Sequence, residues 1–202
     1  MDGIPKNIFH FKKELTNILS AFVHYRPDMR YVKNMAFLAG TLLFYCSEFD
    51  TFNCFLNLVH DFHFPILFEG VLADFKLRVD KFDGYFKEHL PELFGHFEGL
   101  EIKTAYFLSD WLLSLFTKCL DFQVASRVWD NFLIEGEVFA FKTGIAFLAY
   151  HQQQFLQSTH AEIKNILRNG NTQEESIFSA MSLHLKKSDI LMQSKESFSL
   201  LE

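Results

Sequence analysis

The sequence predicts an all-α protein, and three observations support that prediction. Apolar residues recur at intervals of three and four along most of the 202 residues, which is the period of an amphipathic helix. Only 4 prolines and 9 glycines interrupt the chain. The sequence lacks runs of alternating apolar and polar residues flanked by turn dipeptides, which would indicate strands and hairpins. We therefore expect an array of helices around an apolar core, arranged as one domain or as two tightly joined lobes.

The helices of the N-terminal part can be placed from their apolar faces. The first follows the apolar residues from Phe11 to Phe22 and stops before Pro27. A second, running from Asp28 or Tyr31 to Tyr45, is apolar nearly all round and is therefore expected at the centre. Asp50 is the predicted N-cap of a third helix that continues to about His60.

The rest of the chain follows the same pattern after a loop predicted at His63 to Pro65. Further helices are expected over Phe68–Glu88, from Pro91 to Gly95 or Gly99, and over Thr104–Leu120, Phe122–Ile134, Val138–Gln157 and Ala161–Arg168. Residues 1–170 would form the main domain. Residues 171–185 would add a final helix beginning at Glu174, and residues 186–202 a weakly ordered tail.

Charge and composition disfavour several classes of protein. The formal net charge of -6 disfavours binding of nucleic acid through a basic surface. The apolar stretch from Asn34 to Ser47 is shorter than the roughly 18 to 20 residues of a spanning helix, so no integral membrane segment is expected. Met1 to Lys13 lacks the pattern of a signal peptide. The 3 cysteines are an odd number without C-x-x-C spacing, which favours free thiols in a cytoplasmic protein.

Motifs of self-contained catalysis are missing from the sequence. There is no G-x-x-x-x-G-K-[ST] phosphate loop and no G-x-S-x-G nucleophile elbow. The densest histidine cluster, His60-Asp61-Phe62-His63, has the spacing of a partial zinc site, but a solvated helix end explains it better. We expect neither a metal nor a cofactor.

Four short motifs carry more information than these general features. They occur in order along the chain: Arg30–Gly40 (RYVKNMAFLAG), Glu48–Phe52 (EFDTF), Phe86–Phe94 (FKEHLPELF) and Arg127–Gly136 (RVWDNFLIEG). A run from Tyr106 through Trp111 to Phe116 lies between the last two. Together these segments resemble the TBC domain, the Rab GTPase-activating module, over roughly Leu15 to Arg168. The first is similar to the family's G-Y-x-Q-G-M-x-x-L-A signature and the last to its R-x-W-D-x-F-x-x-E-G block.

The resemblance also implies two catalytic fingers, and this sequence departs from both. Members of the family insert an arginine from an I-x-x-D-x-x-R segment and a glutamine from Y-x-Q into the GTPase site. Lys33 stands at the glutamine position, and Asn34 replaces the glycine that follows it. The arginine segment has no clear counterpart; Asp2 to Lys6 is a loose remnant with Lys6 in place of arginine. The chain thus resembles a TBC domain shortened at its N-terminus, and we expect no catalytic residue.

The resemblance assigns roles to the remaining motif residues. Tyr31, Lys33, Asn34 and Met35 would face the GTPase; packing against the first helix is an equal explanation for Tyr31 and Met35, and Lys33 could be a simple solvated lysine. Trp111, Trp129 and Asp130 would be structural. In that reading Trp129 fills the core and Asp130 bonds nearby backbone or indole groups.

Three functions are compatible with these features. The first is a Rab-binding regulator of vesicle trafficking with weak or lost activation, cytoplasmic or peripheral on endomembranes. The alternative is a non-catalytic helical scaffold that binds another protein. A third is an activator that uses noncanonical residues. Lysine has three donors and no acceptor, so it cannot orient a water molecule as glutamine does, and this favours the first.

Overall fold

Residues 11–29, 31–61, 72–170 and 177–179 are described by the computed structural model of the chain. Ten α-helices and no β-strand occur within these residues, which confirms the all-α prediction. The helices are α1 (Lys12–Tyr25), α2 (Met35–Leu43), α3 (Glu48–Asp61), α4 (Leu72–His89), α5 (Pro91–Gly99), α6 (Thr104–Ser114), α7 (Phe122–Glu135), α8 (Glu137–Tyr150), α9 (Gln152–Gln157) and α10 (His160–Asn169).

The helices form two packed groups that share one apolar core. Helices α1, α2 and α3 pack on one another, whereas α4 packs on α5, α6 and α8, and α7 packs on α8. Contact between α2 and α6 joins the groups. The largest fully buried side chain among the described residues is Trp111 of α6, whose ring lies against Phe107, Phe116 and Phe147. Burial of aromatic rings in edge-to-face arrangements provides much of the energy that holds such a core together.

Local sequence explains where several helices begin. Pro91 occupies the first turn of α5, where its missing N–H costs nothing. Thr159 and Glu162 form a capping box at the start of α10, in which the backbone N–H of Thr159 donates to Glu162 Oε2 at 2.7 Å. In α7 the side chains of Val124, Val128 and Phe132, four residues apart, lie on the buried face.

The starts of α2 and α3 differ from the sequence-based expectation. Helix α2 begins at Met35 rather than near Asp28 or Tyr31, because the amides of Met35 and Phe37 bond three residues back, to Val32 O at 2.9 Å and Asn34 O at 3.0 Å. The cap of α3 is Ser47, whose Oγ accepts from the backbone N–H of Asp50 at 3.2 Å, so the prediction of Asp50 as N-cap was wrong.

Two long helices predicted in the second half are shorter. The one expected to reach Leu120 ends at Ser114, because Leu115 and Phe116 adopt positive φ angles of 43° and 62°. Their side chains are almost fully buried, and this burial offsets the strain of the left-handed backbone. The helix expected over Val138–Gln157 breaks at His151, which lets the ring of Phe155 in α9 pack on that of Phe97 at 5.4 Å.

Several predicted features lie outside the described residues. These are Lys6, the loop at His63 to Pro65, and the tail at residues 186–202. Of the final helix expected over residues 171–185, only residues 177–179 are described, and they are helical.

Candidate functional site

The segment from Tyr31 to Met35 presents two side chains to solvent and turns two inward. Tyr31 is 49% exposed and Lys33 is exposed, while Asn34 and Met35 are buried. Within the described residues the Lys33 ammonium forms no hydrogen bond or ion pair. Met35 packs in the core. The segment therefore offers an aromatic ring and a cation on a short, tightly turned stretch of backbone.

A polar cluster ties this segment to α6. Asn34 Nδ2 donates to Asp110 Oδ1 at 3.3 Å, and Lys118 Nζ donates to Asp110 Oδ2 at 2.6 Å. Each oxygen of the carboxylate thus has a donor, and the charge of Asp110 is balanced by Lys118. Because these groups are only partly buried, the ion pair contributes modestly to stability. The clearer effect of the cluster is that the Asn34–Asp110 hydrogen bond holds the backbone beside Lys33 in one place.

A second hydrogen-bonded chain fixes the turn after α6 against α2. The indole N–H of Trp129 donates to Thr117 Oγ1 at 3.0 Å, and Thr117 Oγ1 lies 3.3 Å from Thr41 Oγ1. Thr41 Oγ1 in turn donates to Phe37 O at 2.8 Å. Since a hydroxyl carries one proton, the Thr41 hydroxyl accepts from Thr117 in this arrangement. Both threonines are buried, so the network satisfies groups that would otherwise be costly inside the core.

The two tryptophans are buried, whereas Asp130 is exposed. Trp111 is buried, and its indole N–H donates to Leu167 O in α10 at 3.1 Å. Trp129 is also buried. Asp130 is exposed, and within the described residues its carboxylate forms neither of the bonds expected for it, to backbone or to indole groups; both indole N–H groups donate to other acceptors.

Cationic residues of α10 lie beside the Asp110 cluster. The ammonium of Lys164 and the guanidinium of Arg168 lie 4.8 and 5.1 Å from the ring centroid of Tyr106 in α6. A small pocket there is lined by Asp110, Lys118, Cys119 and Arg168, among others. Burial raises the pKa of the Cys119 thiol far above its ordinary value, and the nearby Asp110 carboxylate adds to the shift. The thiol therefore stays protonated and is a poor nucleophile.

Sequence reasoning identified Tyr31, Lys33, Asn34 and Met35 but missed Asp110, Lys118, Thr41 and Thr117. No local signal marks a contact between Asn34 and Asp110, which are 76 positions apart.

Within the described part of the chain, no group of three or more His, Cys, Asp or Glu side chains is placed to hold a metal ion. His60 lies in the last turn of α3, and its partner in the suggested site, His63, is not among the described residues. In the same part no helix is both long and apolar enough to cross a membrane.

Comparison with known proteins shows the family to which the chain belongs. The model of the Rab-GTPase-TBC domain matches residues 7–156. TBC1 domain family member 12 of Xenopus tropicalis is 34% identical over 156 residues, covering 76% of this chain and 22% of that protein. Drainin of Dictyostelium discoideum is 32% identical over 149 residues, covering 74% of this chain and 34% of that protein. The chain therefore belongs to the Rab-GTPase-TBC domain family.

Solved structures agree on the fold. The Chlamydomonas flagellar RabGAP TBC domain superposes with a TM-score of 0.72 at 23% identity, covering 85% of this chain and 59% of that one. The Ypt/Rab-GAP domain of Gyp1p gives a TM-score of 0.69 at 20% identity, covering 84% of this chain and 63% of that one. The chain thus spans less than two thirds of each of these structures, and about a fifth to a third of the two relatives above.

Proposed function

We propose that this chain regulates Rab-family GTPases in vesicle trafficking, binding one of them through the Tyr31–Met35 segment with weak or no activation of GTP hydrolysis. The observation that supports this proposal is an exposed Lys33 on a segment held by the Asn34–Asp110 hydrogen bond. Membership of the Rab-GTPase-TBC domain family supplies the class of partner. We further propose that the protein acts in the cytoplasm or at the surface of endomembranes, where such GTPases work.

The chemistry of Lys33 supports binding more than catalysis. A glutamine at this position could both accept from the attacking water and donate to phosphate, whereas an ammonium group only donates. The charge of Lys33 can neutralise a phosphate oxygen but cannot align the water for in-line attack. A catalytic arginine is worth about 10³ to 10⁵ in rate, or about 4 to 7 kcal/mol, and Lys6 lacks the planar guanidinium that provides it.

Binding and activation can be measured separately. A panel of purified Rab proteins, each loaded with GTP or GDP, would be tested for retention on the immobilised chain. Hydrolysis by each retained Rab would then be followed under single-turnover conditions. We expect selective, nucleotide-dependent retention and a hydrolysis rate close to the intrinsic one. Tyr31→Ala and Lys33→Ala should weaken retention, while Lys87→Ala, which removes an exposed lysine of α4, should not.

Three results would contradict this proposal. Retention of no Rab protein would favour the scaffold alternative. Retention that is unaffected by Tyr31→Ala and Lys33→Ala would mean that the Rab binds through another surface. Strong acceleration that is lost on Lys33→Ala or Lys6→Ala would make one of those lysines catalytic. Lys33→Gln alone should restore little activity, because the arginine would still be missing and both fingers act on one transition state.

A further inference from the structure

An open groove of about 610 Å³ lies between α4 and the segment that joins α5 to α6. Phe86 and Phe97 form its base, where their rings meet edge to face with centroids 5.5 Å apart. The half-buried side chains of Val79, Phe94 and Ala105 form apolar walls. Its volume is in the range of sites that hold organic ligands or side chains rather than single ions. We call this feature the acidic groove because of the residues on its rim.

Three carboxylates and one lysine line the rim: Asp83, Glu98, Glu101 and Lys103. Glu98 and Glu101 are exposed, and neither carboxylate forms a hydrogen bond or ion pair within the described residues. The Oδ1 atom of Asp83 is shielded from solvent and has no hydrogen-bond partner. The groove therefore has acceptor capacity that the fold itself leaves unused.

The carboxylates of Asp83 and Glu98 are close enough to repel each other. Burial raises the pKa of Asp83 above its ordinary value. A hydrogen bond from Thr104 lowers that pKa, whereas the negative charges of Asp80 and Glu98 raise it further. A cation in the groove would relieve this repulsion. It would also provide the donors that the rim carboxylates lack.

Backbone hydrogen bonds hold the rim in shape. The amide of Glu101 donates to Glu98 O at 3.0 Å, and the amide of Ile102 donates to Phe97 O at 2.9 Å. Because the backbone that carries both glutamates is already ordered, ordering it on binding would cost a ligand little free energy.

We propose that the acidic groove binds a basic, amphipathic segment of a partner protein, with arginine or lysine at the rim and apolar side chains on the aromatic base. An arginine or lysine suits both parts, since its aliphatic stem packs on apolar surface while its charged end meets carboxylates. A second copy of this chain is a poor occupant, because the protein carries a net charge of -6 and two acidic surfaces repel. The site is separate from Lys33: Thr104, at the groove, and Asp110, near Lys33, lie about 9 Å apart along α6.

Fluorescence anisotropy with three labelled peptides tests this proposal. In the first peptide arginine alternates with leucine; in the second glutamine replaces every arginine; in the third serine replaces every leucine. We expect saturable binding of the first peptide and much weaker binding of the other two, since the groove uses both charge and apolar surface. Perturbed backbone NMR signals on adding the first peptide should cluster at residues 98–105.

Matched variants distinguish the groove from general attraction between charges. The double variant Glu98→Gln/Glu101→Gln removes two rim carboxylates, and we expect it to weaken binding about fivefold or more. Glu88→Gln/Glu92→Gln makes the same change in net charge at two exposed residues that do not line the groove, and it should bind within about twofold of the unmodified protein.

Three outcomes would overturn the proposal. These are no saturable binding of the first peptide, equal losses in the two double variants, or equal binding of the serine-containing peptide. Sedimentation of the chain alone completes the test, because self-association that is lost in Glu98→Gln/Glu101→Gln would identify a second copy as the occupant. Lys33→Ala should leave peptide binding unchanged, so failure at this groove is distinguishable from failure of Rab binding.

Discussion

Gly144 provides a sharp test of how tightly the core around Trp111 is packed. It lies inside α8 and is buried, facing α4 and α6. A Cβ atom added there would lie 2.8 Å from Cε2 of Phe82 and 3.3 Å from Cζ3 of Trp111. Carbon atoms pack at about 3.5 to 4.0 Å, so an alanine at this position would require the Phe82 ring to move by about 0.7 Å.

The Phe82 ring has little room for that movement. It is fully buried, and its centroid lies 5.6 Å from that of Phe141 and 6.3 Å from that of Phe107, both edge to face. Overpacking of this kind costs about 1 to 3 kcal/mol, whereas replacing glycine by alanine within a helix gains up to about 1 kcal/mol. Gly144→Ala should therefore lower the free energy of unfolding by about 0 to 2 kcal/mol.

The matched control is Gly84→Ala in α4. A Cβ atom there meets nothing within 4 Å, so only the helix gain applies and the variant should be more stable by up to about 1 kcal/mol. Urea unfolding followed by far-ultraviolet circular dichroism would compare the two. We expect them to differ by about 1 to 3 kcal/mol, and melting temperatures to differ by about 2 to 4 °C per kcal/mol. Equal stabilisation by both substitutions would refute the packing described around Phe82.

Three further predictions concern individual polar groups. Trp129→Phe should lower the unfolding free energy by about 1 to 3 kcal/mol in urea titrations, and by less in a Thr117→Val background, because the hydrogen bond is then already lost. In thiol titrations Cys119 should react only when the protein unfolds, whereas the exposed Cys54 should react in the native protein; a denatured chain with fewer than 3 titratable thiols would indicate a disulfide and contradict the free thiols. Burial lowers the pKa of His151 in the folded protein, so this histidine binds a proton more readily in the unfolded chain. The free energy of unfolding should therefore fall as the pH drops below about 6.5, the ordinary pKa of histidine, and His151→Gln should reduce that fall in urea titrations.

Helix positions with a clear apolar face were well predicted from the sequence. The helix expected over Phe122–Ile134 is observed as Phe122–Glu135, and the one expected over Ala161–Arg168 as His160–Asn169. In both, the buried residues recur at helical spacing, so the local pattern and the tertiary packing indicate the same element.

The ends of the most apolar helices could not be predicted in this way. Residues Leu112 to Phe116 carry no charge, glycine or proline that would indicate a stop. Helix α6 nevertheless ends at Ser114, because burying Phe116 against Trp111, with ring centroids 5.3 Å apart, requires the chain to turn. Helix propensity is a weak signal, and the packing of two large rings outweighs it.

In the site, too, local sequence predicts some features, whereas contacts between distant residues could not be predicted. The exposed Lys33 follows from its motif, since a short loop before a buried helix must present some side chains to solvent. The bond between Asn34 and Asp110 depends instead on how α2 packs against α6, which no local pattern reveals.

Two of the departures from the family signature, those at Lys33 and Asn34, have different physical consequences. Asn34 has φ -70° and ψ -18°, a right-handed conformation that any residue adopts, so glycine is not required there for its backbone freedom. Its side chain adds a hydrogen bond to Asp110, and this change therefore helps to fix the segment. Lys33, next to Asn34, is exposed. Lysine in place of glutamine there alters the chemistry offered to a partner without disturbing the packing of the core. A segment that is fixed by the Asn34–Asp110 hydrogen bond and carries a cation where the signature has glutamine is better suited to binding a GTPase than to orienting a water molecule, which supports the proposal of binding with weak activation.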